Sequence, residues 1–331
     1  MKISVLIPTY NAAKTIEMSL ASVFRQTIQP DEIVVLVDGG TDETVSRLDP
    51  LKGRINLVVQ ENRGVAQARN RLVELAQGEM LAFLDSDDVW HPKYLEVQHG
   101  LLQDYPSAVA SFTGHIRFHG YGEYECSNVL DEDRDHATLI DRVEFFRCYN
   151  TTTAVFGSMS YCCVRRQTFE KIGSNPFSTG LHGVEDSYLC YQLALLGSVV
   201  YLPSPLVAYR ITEGSLSVNR LRNLGLWVHA FEMLQEPYRR SAPLALAKAF
   251  AAGYASKRRE YAKVLLGVGK SVEARRQLIR SLGNCWHPPS LCKSLGLLLL
   301  SLLPPVLQPQ WPSSVRQVGV PPVACGKNGM N

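Results

Sequence analysis

No apolar stretch of this 331-residue chain approaches the roughly 20 residues that a bilayer-spanning helix needs. The opening segment, Met1–Pro8, is too short for a secretory h-region and has no small-residue cleavage site after it, which argues against export. None of the eight cysteines stands in a Cys-x-x-Cys pair. Zinc and dithiol redox chemistry therefore lose their usual signature, and the thiols read as reduced, mostly core residues. Pro8–Ala13 contains no glycine, so the Gly-x-Gly-x-x-Gly fingerprint of dinucleotide folds is missing after the first strand. The Gly-rich basic loop that a nucleotidyltransferase would need is missing from the same place. Gly269-Lys270-Ser271 looks like the end of a P-loop, but the earlier glycine would fall on Val264. No internal repeat points to a solenoid.

Acid is scarce in one region only. Residues 239–293 carry 12 basic and 2 acidic side chains, whereas residues 1–238 carry 20 basic and 29 acidic. The net charge of +3 thus hides an acidic body and a basic C-terminal part, two surfaces suited to different partners. The basic part lacks the interleaved aromatics of a stacking surface, so nucleic acid is not the expected partner.

What is present is strand–helix alternation. Ile3–Ile7, Ile33–Val37, Ile55–Val59 and Met80–Leu84 are short aliphatic runs, the pattern of strands buried on both faces. Between them, Ile16, Leu20, Val23 and Phe24 mark one helix face, and Val65, Ala68, Leu72 and Leu75 another, closed by Gly78. Pro92 suits the start of a helix running to about Tyr105. This alternation predicts an α/β fold with a mostly parallel sheet flanked by helices. Residues 119–141 read as a mobile insertion, Phe156–Val164 as a strand, Asp186–Leu196 as a helix ended by Gly197, and Val199–Leu202 and Val207–Arg210 as two short strands. From about residue 219 the pattern is helical. The expected division is a catalytic part over 1–217, a basic helical region over 218–290, and an apolar segment with a disordered tail over 291–331.

Ligands of open parallel sheets bind beyond the carboxyl ends of the strands. Polar groups gather there: Thr9, Tyr10 and Asn11 after the first run, Asp38 after the second, and Asp85-Ser86-Asp87-Asp88 after the fourth. Two carboxylates spaced as in Asp85-x-Asp87 can face the same way in extended chain. They suit a hard divalent cation, Mn2+ or Mg2+, that also binds substrate phosphates. The alternative is that Asp87 or Asp88 caps the helix at Pro92. Glu185-Asp186 likewise admits two readings, a helix start favoured by the dipole or a general base.

Taken in order, Val5–Asn11, Ser22–Thr27, Val37–Asp42, Asn62-Arg63-Gly64, Ala68-Arg69-Asn70, Gly78-Glu79 and Phe83–Asp88 resemble the family 2 nucleotide-sugar glycosyltransferases. Weaker similarity runs to about residue 217. The resemblance implies a GT-A fold, with a Rossmann-like sheet, and an inverting transfer from a nucleotide-diphosphosugar, a UDP-sugar foremost. By the same resemblance Thr9, Tyr10 and Asn11 lie beside the nucleotide, Asp38 bonds base or ribose, and Asp85 contacts ribose or metal. Asp87 binds the metal, Arg69 supports the nucleotide side or forms a structural ion pair, and Asp186 is the general base. Tyr209-Arg210-Ile211-Thr212 departs from the family's Tyr-Arg-x-His: Thr212 cannot act as an imidazole ligand, while Arg210 can still reach phosphate. The acceptor implied is a glycan or lipid-linked saccharide, as in surface polysaccharide biosynthesis, with 119–155 and the C-terminal helices forming its site. The rival reading is a weakly active nucleotide-binding scaffold of the same fold.

The expected location is cytoplasmic and peripheral on the inner face of the cell membrane. Leu295–Leu303 is too short to span a bilayer. It fits either a core helix or an interfacial anchor, which the preceding basic stretch and Trp311 would assist at an anionic surface.

Overall fold

The computed structural model describes residues 1–120, 136–151, 156–211, 219–283 and 288–303. Four parallel strands come first: β1 (Ile3–Thr9), β2 (Glu32–Asp38), β3 (Asn56–Gln60) and β4 (Met80–Phe83). Helices α1 (Ile16–Phe24), α2 (Thr44–Leu48) and α3 (Val65–Leu75) connect them. Then follow β5 (Val89–Trp90), α4 (Tyr94–Asp104), β6 (Ala108–His119), β7 (Thr138–Ile140), α5 (Arg142–Thr151), β8 (Cys162–Arg165), α6 (Arg166–Ile172), α7 (Glu185–Leu196) and β9 (Ser198–Ile211). The C-terminal helices are α8 (Arg220–Ser241), α9 (Leu244–Gly267), α10 (Ser271–Leu282) and α11 (Pro288–Leu300). One mixed sheet runs β3-β2-β1-β4-β8-β6-β9-β5, with β7 on β9. β8 is antiparallel to both β4 and β6, whereas β6 and β9 are parallel.

The aliphatic runs are continuous because both sheet faces are covered. Along β1 and β2, Leu6, Val34 and Leu36 enter one core with α3 and α7, while Val5, Ile7, Val35 and Val37 enter the other with α1 and α4. Alternate residues of a strand face opposite sides, so the middle of each strand is aliphatic on both, and the buried Ser4 of β1 is satisfied by Glu32 and the Gly78 amide. The first core continues into Val228, Phe231 and Tyr238 of α8 and Phe250 and Tyr254 of α9. The helices after 218 thus share their packing with the sheet.

Several sequence expectations are corrected. Phe156–Val164 is not one strand: Met159–Tyr161 form a 3-10 turn and the strand starts at Cys162. Val199–Leu202 and Val207–Arg210 are parts of a single 14-residue strand. Pro203 and Pro205 interrupt its periodicity, and the sheet absorbs them by a register shift at Thr113–His115, the irregular setting where strand prolines are tolerated. Pro92 precedes the helix that begins at Tyr94. Gly78 does not cap α3, which ends at Leu75; a Cβ at Gly78 would lie 2.6 Å from the Ser4 nitrogen, so glycine lets that turn press against β1. β6, which pairs with both β8 and β9, had no counterpart in the sequence reading. Gly269-Lys270-Ser271 is the turn between α9 and α10, with the Lys270 amide bonded to the Leu265 carbonyl, and no P-loop. Most of the 119–141 insertion, with Thr212 and the tail from Pro304, lies outside the described residues.

Among the described cysteines, Cys162, Cys163 and Cys190 are buried, and burial pushes the Cys163 thiol up to about 12. These three are inert core side chains.

Candidate active site

A cleft of about 1140 Å³ opens at the carboxyl edge of β1, β2 and β4. Its lining includes Thr9, Tyr10, Asn11, Asp38, Arg69, Asp85, Asp87 and Arg210. Every donor-site and metal residue expected from sequence therefore reaches one cavity. Asp186 is not in the lining, but its neighbour Glu185 is.

The β1–β2 side is organised by backbone donors. Asp38 Oδ1 accepts from Gln60 Nε2 at 2.7 Å and the Arg63 amide at 2.9 Å, and Oδ2 accepts from the Gly64 amide at 2.7 Å. Gly64 has φ of +86°, a conformation glycine adopts without steric cost, and α3 starts directly after it. Asn11, itself left-handed at φ 48°, accepts from the Thr41 amide at 2.9 Å. The motifs at 9–11, 37–42 and 62–64 thus form one interlocked set of loops. Tyr10 stands 55% exposed at their rim, a ring open to a stacking partner.

The segment after β4 is held from several sides. Ser19 Oγ donates to the Asp88 carbonyl at 2.7 Å, and the Trp90 amide donates to Ser22 Oγ at 3.1 Å. Gln26 bonds the His91 carbonyl and the Leu95 amide, which is what the Ser22–Thr27 motif does in this fold. Arg210 Nε donates to the Asp87 carbonyl at 2.8 Å, and its main-chain amide to Asp88 Oδ1 at 2.9 Å. The guanidinium lies 4.3 Å from the centre of the Phe118 ring. Arg210 therefore braces the Asp-Ser-Asp-Asp turn, and the helix-capping alternative for Asp87 and Asp88 falls away, because α4 has no side-chain cap. Burial and the charge of Asp85 push the Asp87 carboxyl up to about 6. The pair offers hard oxygen donors whose repulsion a divalent cation would relieve, so the residues present fit such an ion. Among the described residues no cluster of three or more His, Cys, Asp and Glu forms a closed metal cage.

On the α3–α7 side one guanidinium joins two carboxylates. Arg69 Nη2 meets Asp85 Oδ1 at 2.7 Å and Nη1 meets Glu185 Oε1 at 2.7 Å. Both Arg69 and Glu185 side chains are 5% exposed. Burial alone would lower the Arg69 pKa, but Asp85, Glu185 and Asp186 together raise it, so its charge is permanent. Asn70 pins this arrangement by bonding both polar atoms of the Phe177 backbone, at 2.8 and 3.0 Å, which sets the Phe177 ring 5.7 Å from the guanidinium. Arg69 thus forms a buried ion-pair fork and at the same time lines the cleft.

Asp186 opens α7. Its Oδ1 accepts from the Ser187 amide at 2.7 Å. Burial and the adjacent Glu185 charge push its carboxyl up to about 7, against the opposing pull of Arg69. Ser187 Oγ in turn accepts from Tyr149 of α5 at 2.7 Å and from Trp227 Nε1 of α8 at 3.0 Å. Arg222 of α8 donates to the His182 carbonyl at 3.0 Å. The C-terminal helices thereby hold the turn that carries Glu185 and Asp186. Sequence reasoning missed these partners, as it missed Ser158 and Ser160, which bond the Asp85 carboxylate and amide at 3.3 and 3.0 Å. Serines in an apolar run carry no periodic signal that would have revealed them.

The model for the family described as glycosyl transferase family 2 matches residues 4–173, which cover the interlocked loops and the Asp-Ser-Asp-Asp turn just described. The chain belongs to this family. It is 32% identical over 228 residues to the glycosyltransferase GlyA of Streptococcus pneumoniae, covering 65% of this chain and 31% of GlyA. It is 29% identical over 226 residues to WfgD of Escherichia coli, covering 67% of this chain and 82% of that one. WfgD is named as a UDP-Glc:alpha-D-GlcNAc-diphosphoundecaprenol beta-1,3-glucosyltransferase. Among solved structures, Staphylococcus aureus TarS superposes with a TM-score of 0.65 at 16% identity, covering 91% of this chain and 55% of TarS. That likeness carries the GT-A-type fold expected from the sequence.

Proposed function

We propose that this family 2 chain is an inverting glycosyltransferase that moves a sugar from a nucleotide-diphosphosugar to a glycan or lipid-linked acceptor in surface polysaccharide biosynthesis. The observation that carries the reading is the convergence of the 9–11, 38, 62–64, 69 and 85–87 motifs on one cleft, beside a carboxyl raised to about 7. WfgD, whose name specifies a UDP-sugar donor and a diphosphoundecaprenol acceptor, supports a UDP-sugar and a lipid-linked acceptor. Work on such an acceptor favours a cytoplasmic protein peripheral on the inner membrane face.

In this reading the uridine lies along Thr9, Tyr10 and Asn11, and the exposed Tyr10 ring covers the base. Asp38 keeps the 62–64 loop in place around the base or ribose, and Asp85 reaches the ribose or a metal. Asp85 and Asp87 would hold a divalent cation, Mn2+ or Mg2+, which neutralises negative charge on the leaving diphosphate when bound. Arg210 of β9 backs that diphosphate by bracing the turn that carries Asp87. The acceptor hydroxyl attacks the anomeric carbon, the bond from that carbon to the phosphate oxygen breaks, and nucleoside diphosphate leaves. The hydroxyl proton passes to Asp186, whose raised pKa matches a base working near neutrality. Arg69 holds Glu185 and Asp85 together, keeping the base next to the donor side.

The test is a panel of nucleotide sugars scored for nucleoside diphosphate release, with and without divalent metal. Release from one donor, stimulated by metal, is the expected result. Tight donor binding without release from any donor, in the presence of lipid-linked and glycan acceptors, would favour the scaffold reading.

A further inference from the structure

α11 is built inside out. Its buried side presents Ser294, fully buried, and the following turn buries Ser301 at 3% exposure. Ser294 bonds Ser281 Oγ at 2.9 Å and Arg259 at 3.3 Å. Only Leu297 and Leu298 pack inward, against the small cluster of Ala262, Leu265, Ala274 and Leu278. The outward side carries Leu291, Leu295, Leu299 and, in the turn that follows, Leu302, at 39, 41, 66 and 59% exposure. Neighbouring α10 adds Val272 and Ile279, 71 and 57% exposed. Nine of the fifteen exposed large apolar side chains among the described residues fall between 268 and 303. A helix meant to face water would place its serines outward and its leucines inward. An apolar surface this concentrated marks a binding face.

The charge beside it selects the partner. Residues 274–303 contain no Asp or Glu, and Arg276, Arg280 and Lys293 are exposed. Among the described residues no helix is long and apolar enough to cross a membrane, and α11 has 13 residues, about 20 Å at 1.5 Å per residue. Leucines that enter the acyl boundary while flanking cations meet anionic headgroups are the physical signature of a helix lying in the interface plane.

We infer that the α10–α11 face is a membrane-docking surface, with anionic lipid as its partner. This deepens the reading above by naming the surface that would bring the cleft to a lipid-linked acceptor, but its test needs no turnover.

The full chain is sedimented with vesicles of phosphatidylcholine and phosphatidylglycerol at 7:3, and with pure phosphatidylcholine, at low and high salt. Wild type is expected to bind the anionic vesicles, with affinity falling as salt rises and little binding to neutral ones. The Leu295→Glu/Leu299→Glu pair should lose about tenfold or more in vesicle affinity, since each leucine removed from the interface forfeits its burial energy. Arg276→Glu/Lys293→Glu should lose binding to anionic vesicles only. Both pairs point into solvent, so circular dichroism and UDP-sugar affinity should match wild type. Wild type left in the supernatant would overturn the proposal, as would equal binding by the leucine pair. A concentration-dependent dimer that the leucine pair abolishes, without vesicle binding, would assign the face to a second copy of this chain instead. Nucleotide-sugar turnover, measured separately without vesicles, reports on the catalytic reading alone, so the two can fail independently.

Discussion

The β1–β2 side and the α3–α7 side of the cleft treat a carboxylate in opposite ways. Asp38 collects three donors from the 60–64 segment, two of them backbone amides, and uses them to fix a loop. Asp186 accepts from the amide of the residue next to it, and burial together with the neighbouring Glu185 charge pushes it up to about 7. A carboxylate held by several donors is a structural tie, whereas a buried one among like charges is poised to take a proton. In the proposed function the difference separates a side that binds from a side that transfers, and substitutions at three positions probe it.

Asp186→Asn is the largest expected effect. Transfer should fall by 10²-fold or more, the order usual for a positioned general base, while donor affinity stays within about twofold in a calorimetric titration. The same variant should be more stable at pH 8. The folded carboxyl titrates near 7 and the unfolded one near 3.8, so between those values the folded state holds the extra proton. Stability from this group is therefore greatest in acid and declines as pH rises to about 7. Asn removes that decline, and a melting midpoint raised by roughly 2–4 °C at pH 8 corresponds to about 1 kcal/mol. A lower midpoint at pH 8 would show that the Asp186 charge is well compensated.

Arg69→Met leaves Glu185 and Asp85 without their shared cation. Breaking a buried pair in this way costs about 3–5 kcal/mol, readable as a lowered denaturation midpoint. Arg69→Lys keeps a point charge but cannot fork between two carboxylates, so its loss should be smaller. Equal losses in the two variants would mean that the fork geometry is unimportant.

Asp38→Asn is the mildest of the three. One amide hydrogen of the new side chain must face the Gly64 or the Arg63 amide, a donor–donor clash worth about 1–2 kcal/mol. The 61–64 loop should loosen, raising donor Kd by about tenfold with kcat nearly unchanged. A fall in kcat at constant Kd would place Asp38 on the transferring side and erase the distinction.

How far the sequence foretold this depends on what each element is made of. β1, β2 and α1 were legible because aliphatic runs and helical spacing are local, and the Asp38, Asp85 and Asp87 positions follow from where those runs stop. β9 was split in two because Pro203 and Pro205 erase its alternation, and only its partner β6 makes it continuous. The site was legible residue by residue but not in its couplings. Arg69 and Glu185 are 116 residues apart in sequence, and Trp227 reaches Ser187 from a helix that the sequence assigns to another region. Such contacts follow from tertiary packing, which local pattern does not encode.

The central claim is that transfer runs through a base at the start of α7, and the pH dependence of kcat tests it most directly. With a saturating nucleotide-sugar and acceptor, kcat should fall about tenfold per pH unit below an apparent pKa near 7, the value to which burial and Glu185 raise Asp186. A kcat that stays flat from about pH 5.5 to 8 while chemistry is rate-limiting would contradict it.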